Sequence, residues 1–374
     1  MAFKLIFFGD FCAASGQVPT FGPKLQDLIA SSSIASINLE GPVLSNSFRG
    51  IEALKIGPSI SQPAIIIDEL RLRGINMLNL ANNHIMDYGL AGLKQTLKLS
   101  KSFHTIGASI NFDEAYNSKI IKIEGVTMAF LGFSESQFGI AHKFSGGYAC
   151  INSVTARLKV AEARKNADFV FIQVHAGIEN VDIPLPEWRT IYKELIDLGA
   201  DLIIGHHPHV VQGYEVYKGK HIYYSLGNLY MDLANSEESD YGAALIVKID
   251  ESLNNNIIGL RNDGQSIELD HSEEFINLFL SRTAKIQSSS YLAEINQICQ
   301  LLWKNNYLPY YQLAFSSFLD HLRNFRIKKA FKFLFNIINN DNLMRDLMVV
   351  HNARIESHRW AIDRAISSIN KNKI

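Results

Sequence analysis

Short apolar runs, each closed by a polar or glycine-containing stop, recur through the first 250 residues with amphipathic stretches between them. Phe3 to Phe8 is one such run, stopped by Gly9-Asp10. Ile34 to Leu39 is another, ending in Asn38-Leu39-Glu40 before Gly41-Pro42. Runs of this length and continuity predict buried strands. Further strands are predicted at Asn76 to Leu80, Thr105 to Gly107, Asp168 to Val174, Asp201 to Ile204, Lys220 to Ser225 and Ala243 to Ile249. Lys119 to Glu124 and Thr127 to Phe133 read as a hairpin joined at Gly125. The stretches between repeat with helical spacing at about 23–31, 62–73, 90–100, 154–166 and 186–198. The last of these has Pro186 at its start and Gly199 just beyond its end. This alternation of strand and helix predicts a layered α/β domain over residues 1–255.

Past Asn254-Asn255-Asn256 and Asn262-Asp263-Gly264 the pattern changes, and these turn-rich patches read as a linker. From Glu273 the spacing is helical, in segments near 273–287, 291–305, 310–325, 327–339 and 343–370, which predicts a helical C-terminal region over residues 270–374. Its expected core is Phe275, Leu278, Phe279, Phe315, Phe318, Phe331, Phe333, Leu334 and Phe335. His321, His351 and His358 lie in these helices without a carboxylate at ligand spacing, so no chemistry is assigned to them.

Charge changes this picture in one respect. Between residues 281 and 374, 14 Lys and Arg stand against 6 Asp and Glu, so that the segment carries +8 and the remainder −9. The basic residues are interspersed with core-like aromatics, which favours a solvated helical face over a polyanion-binding patch, and no nucleic-acid motif accompanies them. Cys12, Cys150 and Cys299 have no paired spacing, which argues against a disulfide framework or a thiolate cluster. No stretch reads as a signal peptide or a transmembrane anchor, and the expected setting is cytoplasmic.

Candidate chemistry collects at the strand ends. Asp10, Asn38 with Glu40, Asn82 with Asn83 and His84, His175, and His206, His207 and His209 stand at five strand-to-loop junctions. If the sheet is parallel around its middle, those junctions share one edge, and oxygen and imidazole donors converge there. Such a donor set suits one or two divalent ions of Mn, Fe or Zn, and two ions could share a bridging carboxylate. His84 is placed to act beside the donors as a general acid, or as a cation on a phosphate.

The blocks GD (9–10), NLEGP (38–42), LANNHIMDYGLAGLKQTL (80–97), VHAG (174–177), GADLIIGHHPHVVQG (199–213) and IYYSLGN (222–228) resemble those of the CapA family. That family of bacterial capsule or poly-gamma-glutamate synthesis proteins is similar to calcineurin-like metallophosphatases. The resemblance implies a four-layer αββα sandwich. It also implies metal ligation by Asp10, Glu40, Asn83, His175, His207 and His209, with His84 catalytic and His206 an alternative to His207. Asn38, Asn82, Asp87, Tyr88, His206, Ser225 and Asn228 are the candidates for positioning substrate. The superfamily's Asp-x-His motif has Cys12 as its third residue here, one donor fewer. The implied function is a metal-dependent, phosphoesterase-like hydrolase in capsule, exopolysaccharide or poly-gamma-glutamate biosynthesis, acting on an anionic small molecule or polymer. The alternative is a non-enzymatic subunit that binds an anionic polymer or nucleotide sugar within an envelope-polymer synthesis machinery.

Overall fold

The structure, a computed structural model, describes residues 2–233, 241–250, 252–315 and 341–371. The chain divides into two compact units, Met1–Ala53 with Ser59–Tyr291 and Leu54–Pro58 with Leu292–Ile374.

The first unit is built around strand Phe3–Cys12, whose side chains alternate between two cores. Phe3, Leu5 and Phe7 face Met128, Phe130, Phe171, Leu202 and Ile204. Ile6, Phe8 and Phe11 face the opposite way, toward Leu25, Ile29, Ile66, Leu70 and Leu93. The first of these cores lies between two sheets, where the ring of Phe7 is 5.9 Å from that of Phe171. Each such ring contributes about 1.5–3 kcal/mol by leaving water. The second core lies under helices Pro23–Ala30, Ile65–Leu72 and Gly89–Leu99. On the far side, helices Val154–Asn166 and Pro186–Asp197 bury Val160, Trp188, Tyr192 and Leu195. The result is the four-layer αββα sandwich.

One sheet is nine-stranded and the other six-stranded. In the larger, Phe3–Cys12, Ile34–Leu39, Met77–Asn79 and His104–Ile106 run parallel. In the smaller, Val126–Ser134, Phe169–His175, Leu202–His206 and Lys220–Tyr223 do the same. The predicted hairpin is present, Lys119–Ile123 pairing antiparallel with Val126–Ser134. Register then decides which polar groups meet. Asp10 lies opposite both Asn38 and Asn228, and His175 opposite His206.

Two places differ from the sequence pattern. Asn254 to Asn256 are not linker but part of strand Leu253–Asn262, which pairs with Tyr241–Ile249 and Ser266–Asp270. Asn254 and Asn256 are exposed on that strand, whereas Asn255 between them is half-buried with both amide atoms buried and without a hydrogen bond. The turn falls instead at Asp263, whose carboxylate accepts from the backbone N–H groups of Gln265 and Ser266. Helix Glu273–Gln287, capped by Ser272, also belongs to the first unit. It sends Phe275 and Phe279 into the inter-sheet core, and Phe279 stacks 5.7 Å from Tyr214. Leu278 beside them is half-buried.

The second unit is helical among the described residues, and it includes Leu308–Phe315, Asp341–Arg354 and Glu356–Lys371. Ile295, Cys299, Ala361 and Ala365 are buried in it, and the His358 ring sits 4.8 Å from that of Tyr307. Phe318, His321, Phe331, Phe333, Leu334 and Phe335, with the side chain of Phe315, lie outside the described residues. Among the described residues no helix is long and apolar enough to cross a membrane.

Candidate metal centre

The carboxyl ends of the parallel strands from both sheets meet at one buried point. Asp10 leads into it, and Gly9 permits this because a Cβ there would stand 1.9 Å from the Gly227 carbonyl oxygen. Asp10 Oδ1 accepts from Asn38 Nδ2 at 2.7 Å and Oδ2 from the His207 backbone N–H at 2.9 Å. The first bond braces two neighbouring strands of the nine-stranded sheet, and the second ties that sheet to the histidine loop of the six-stranded one. Asn38 Nδ2 also lies 3.1 Å from His175 Nδ1, and Asn38 Oδ1 accepts from Asn79 Nδ2.

The histidine loop departs from ordinary backbone geometry. His207 and His209 have φ of 95° and 58°, left-handed values that non-glycine residues adopt at a cost. Pro208 between them holds φ near −65°. This path turns the His207 ring inward, with Nδ1 3.0 Å from His175 Nε2, and sets His209 Nδ1 3.0 Å from Asn228 Oδ1. Asn83 Oδ1 meets His175 Nε2 at 2.9 Å. Glu40 Oε1 stands 3.8 Å from both His175 Nε2 and His209 Nε2, and 4.0 Å from His84 Nε2.

Three sets of side chains bring one donor atom each to within 4.8 Å of one another: Asp10, Glu40 and His209; Glu40, His175 and His207; and Glu179, His207 and His209. Glu40 belongs to two sets, the arrangement a bridging carboxylate requires. Its Oε2 is buried and makes no hydrogen bond. A buried oxygen in that condition is costly, and a cation would satisfy it. Oxygen and imidazole donors without a thiolate fit a divalent ion of the Mn, Fe or Zn kind.

The electrostatics fit the same purpose. Burial pushes Glu40 up to about 8, a shift to which Asp10, Glu179 and Asp87 add and which His209 opposes. Burial pulls His209 down, but Glu40, Asp10 and Glu179, with the bond to Asn228, outweigh it and raise it to about 9. Burial also works against Asp10, yet His175, His206 and His209 hold its carboxyl well below the usual range. Burial lowers His175, His206 and His207, His206 to about 4, so these three rings are neutral at pH 7.

His84 stands apart from the donor sets. Its Nδ1 lies 2.7 Å from Asp87 Oδ2, which also accepts from the Ile60 backbone N–H at 2.8 Å. Asn82 fixes the segment: its Oδ1 accepts from the N–H groups of Gly41 and His84, and its Nδ2 donates to the Leu39 carbonyl. Asn38, Asn82, Asp87, His206, Ser225 and Asn228 are all buried. Ser225 Oγ accepts from the Gly227 N–H in a turn, and neither ring nitrogen of His206 makes a hydrogen bond. Tyr88 alone among the substrate candidates is half-exposed, its hydroxyl on Glu52 and its ring edge-on to Phe48. Cys12 is buried and enters none of the donor sets among the described residues. Its thiol is pushed up by burial first and then by Glu40, Asp232 and Asp87, so it stays protonated.

Three residues of the site were not singled out from sequence. Asn79 braces Asn38, and Glu179 joins the outermost donor set. Glu135, fully buried, has Oε1 3.6 Å from His207 Nε2. Glu135 follows the end of strand Val126–Ser134, the same strand-end signal that marked the others.

The fold is of the calcineurin-like, metallophosphatase type. More narrowly, the chain belongs to the family described as bacterial capsule synthesis protein PGA_cap, whose model matches residues 11–233. It is 34% identical over 212 residues to the capsule biosynthesis protein CapA of Bacillus anthracis, covering 54% of this chain and 52% of that protein. It is 40% identical over 169 residues to the PGA biosynthesis protein CapA of Bacillus subtilis, covering 44% of each. The chain thus spans about half the length of the curated relatives it matches. Among solved structures, a hypothetical protein from Thermus thermophilus aligns over 68% of this chain and 99% of its own, at 13% identity and a TM-score of 0.43.

Proposed function

We propose that this chain is a metal-dependent hydrolase of the phosphoesterase type acting in capsule, exopolysaccharide or poly-gamma-glutamate biosynthesis. The observation that carries the reading is the placement of His84. Its Nδ1 is held by Asp87 at 2.7 Å, and its Nε2 faces Glu40, the carboxylate common to two donor sets. Asp10, Glu40 and His209 would hold one divalent ion, and Glu40, His175 and His207, with Asn83 beside them, a second. Ions bound there would supply Lewis-acid polarisation of the ester and a more acidic water. With Asp87 accepting from Nδ1, His84 is fixed in orientation, and its Nε2 can carry a proton to a leaving oxygen or face a phosphate as a cation. Asn82 keeps His84 and the Glu40 loop in register through the three backbone bonds described above. The proposed setting is cytoplasmic, beside the machinery that makes an anionic envelope polymer. The family membership supports the envelope-polymer part of that setting.

A second reading has one observation in its favour. Cys12, a buried neutral thiol, stands where the resemblance implies the histidine of the superfamily's Asp-x-His motif, which suits a degenerate site that binds an anionic polymer or nucleotide sugar without turnover. Metal analysis of the purified protein, followed by assay of phosphomonoesters, phosphodiesters and polyglutamate with and without Mn, decides between them. Metal-dependent turnover that His84→Gln abolishes with metal still bound supports the hydrolase. A metal-loaded protein inert on all three substrate classes, or a His84→Gln variant as active as the original, refutes it.

A further inference from the structure

The third donor set lies on the open side of the centre. Asp10, Glu40, His175 and His207 are buried, whereas Glu179 is exposed and its carboxylate still comes within 4.8 Å of donor nitrogens of both His207 and His209. That proximity is built into the backbone. Gly177 has φ +139° and packs so closely that a Cβ there would stand 2.9 Å from Pro208 Cγ. The Asn180 N–H, from a residue at φ 59°, donates to the Pro208 carbonyl at 2.8 Å. Both contacts flank Glu179, and both fall on the proline between the two histidines. The segment carrying Glu179 is therefore stitched to the histidine loop on each side of it.

We infer that Glu179 is an outer ligand of the centre, a carboxylate that joins His207 and His209 in holding a divalent transition-metal ion at its mouth. This rests on the metal reading proposed above and adds to it a residue from outside the buried donor sets. One carboxylate with two imidazoles is a donor set that Zn, Mn and Fe(II) accept. Charge points the same way. An exposed carboxylate at the mouth of a site for anionic substrates repels them, and a bound cation removes that repulsion. The third set also supplies a carboxylate to a centre that Cys12 leaves one donor short.

Mn(II) binding to the purified full chain, followed by electron paramagnetic resonance and by metal content after desalting, tests this in four forms: the original, Glu179→Gln, Glu179→Asp and His209→Ala. Because Glu179 is exposed, the metal-free melting temperature of Glu179→Gln should match the original. Its Mn(II) affinity should fall at least about tenfold, and Glu179→Asp should recover part of the loss. The loss should persist in about 0.5 M salt, where a through-space charge effect is screened within about 4–5 Å. An unchanged affinity in Glu179→Gln beside a reduced one in His209→Ala overturns the outer ligand and leaves the metal centre standing. A loss that disappears in high salt also overturns it. An original protein that binds no Mn(II) refutes the metal reading itself.

Discussion

Binding a divalent cation between Asp10, Glu40 and His209 has to displace two protons, and that number follows from the site. Glu40 is raised to about 8 by burial, and His209 to about 9 because Glu40, Asp10 and Glu179 outweigh its own burial. At pH 7 both therefore hold a proton in the metal-free protein, whereas Asp10 is ionised and His175 and His207 are neutral. Each displaced proton makes apparent affinity rise tenfold per pH unit below the group's own value. Two of them give close to a hundredfold between pH 6 and pH 7, or about 2.7 kcal/mol per pH unit. The dependence should weaken above about 8 and vanish above about 9. Titration calorimetry of Mn(II) or Zn(II) at pH 7, in two buffers of unlike ionisation enthalpy, counts the protons directly. About two should be released per ion at this position, and Glu40→Gln should reduce the release to below one and more than halve the slope of log affinity against pH, because it removes one proton site and also the carboxylate that does most to raise His209. Release of well under one proton, or an affinity flat between pH 6 and pH 7, would refute the assignment of Glu40 and His209 to one ion.

Other consequences are simpler to state. His84→Gln should leave metal content unchanged and lower phosphoester turnover by about 10²–10⁴-fold, the range for loss of a general acid; Asp87→Asn, which weakens the hold on Nδ1, should fall in the same direction. His206 should make the metal-free protein acid-sensitive. Burial lowers it from 6.5 to about 4, so its contribution is complete above 6.5 and is lost as pH falls through 4, about 3 kcal/mol in all. Urea unfolding at pH 7.5 and pH 4 should therefore show a smaller loss in His206→Gln than in the original. Gly9→Ala should destabilise by about 1–3 kcal/mol, because its methyl would meet the Gly227 carbonyl oxygen at 1.9 Å. Metal affinity should fall with it, since Asp10 is the next residue; equal urea midpoints for the two proteins would contradict the close approach.

The donors were legible in the sequence for a physical reason. A parallel strand buried on both faces is apolar along most of its length, so polar residues at or near its carboxyl end stand out, as Asp10, Glu40, His175 and His207 do. Glu135 carries the same signal after Val126–Ser134, but a single glutamate past a hairpin strand reads as a turn residue until the second sheet is seen to face the first. Asn79 is hidden differently. It belongs to the strand Met77–Asn79 itself, and its value lies in a bond to Asn38, 41 residues earlier, that only the register of the two strands creates. Glu179 had no signal of either kind, being an exposed acidic residue in a loop. The Asn-rich strand Leu253–Asn262 was obscured by composition, since three consecutive asparagines look like a turn when the partner strand is unknown.

What the structure adds to the histidine run is an order of depth. In sequence the resemblance favours the His207-Pro208-His209 pair for its spacing, with His206 as the alternative to His207. The sheet separates them. His206 is the last residue of its strand, paired with His175, fully buried and neutral, with Nδ1 3.7 Å from Asp10 Oδ1. His207 and His209 leave the strand on left-handed backbone and reach the shared donor sets, which His206 does not enter among the described residues. Left-handed geometry at two non-glycine residues costs on the order of 1–3 kcal/mol each. Glu124 and Lys218 take such values in plain hairpin turns, so the backbone alone does not mark a site. What sets His207 and His209 apart is that this backbone turns both imidazoles toward Glu40 and Glu179, as a shared metal centre would require.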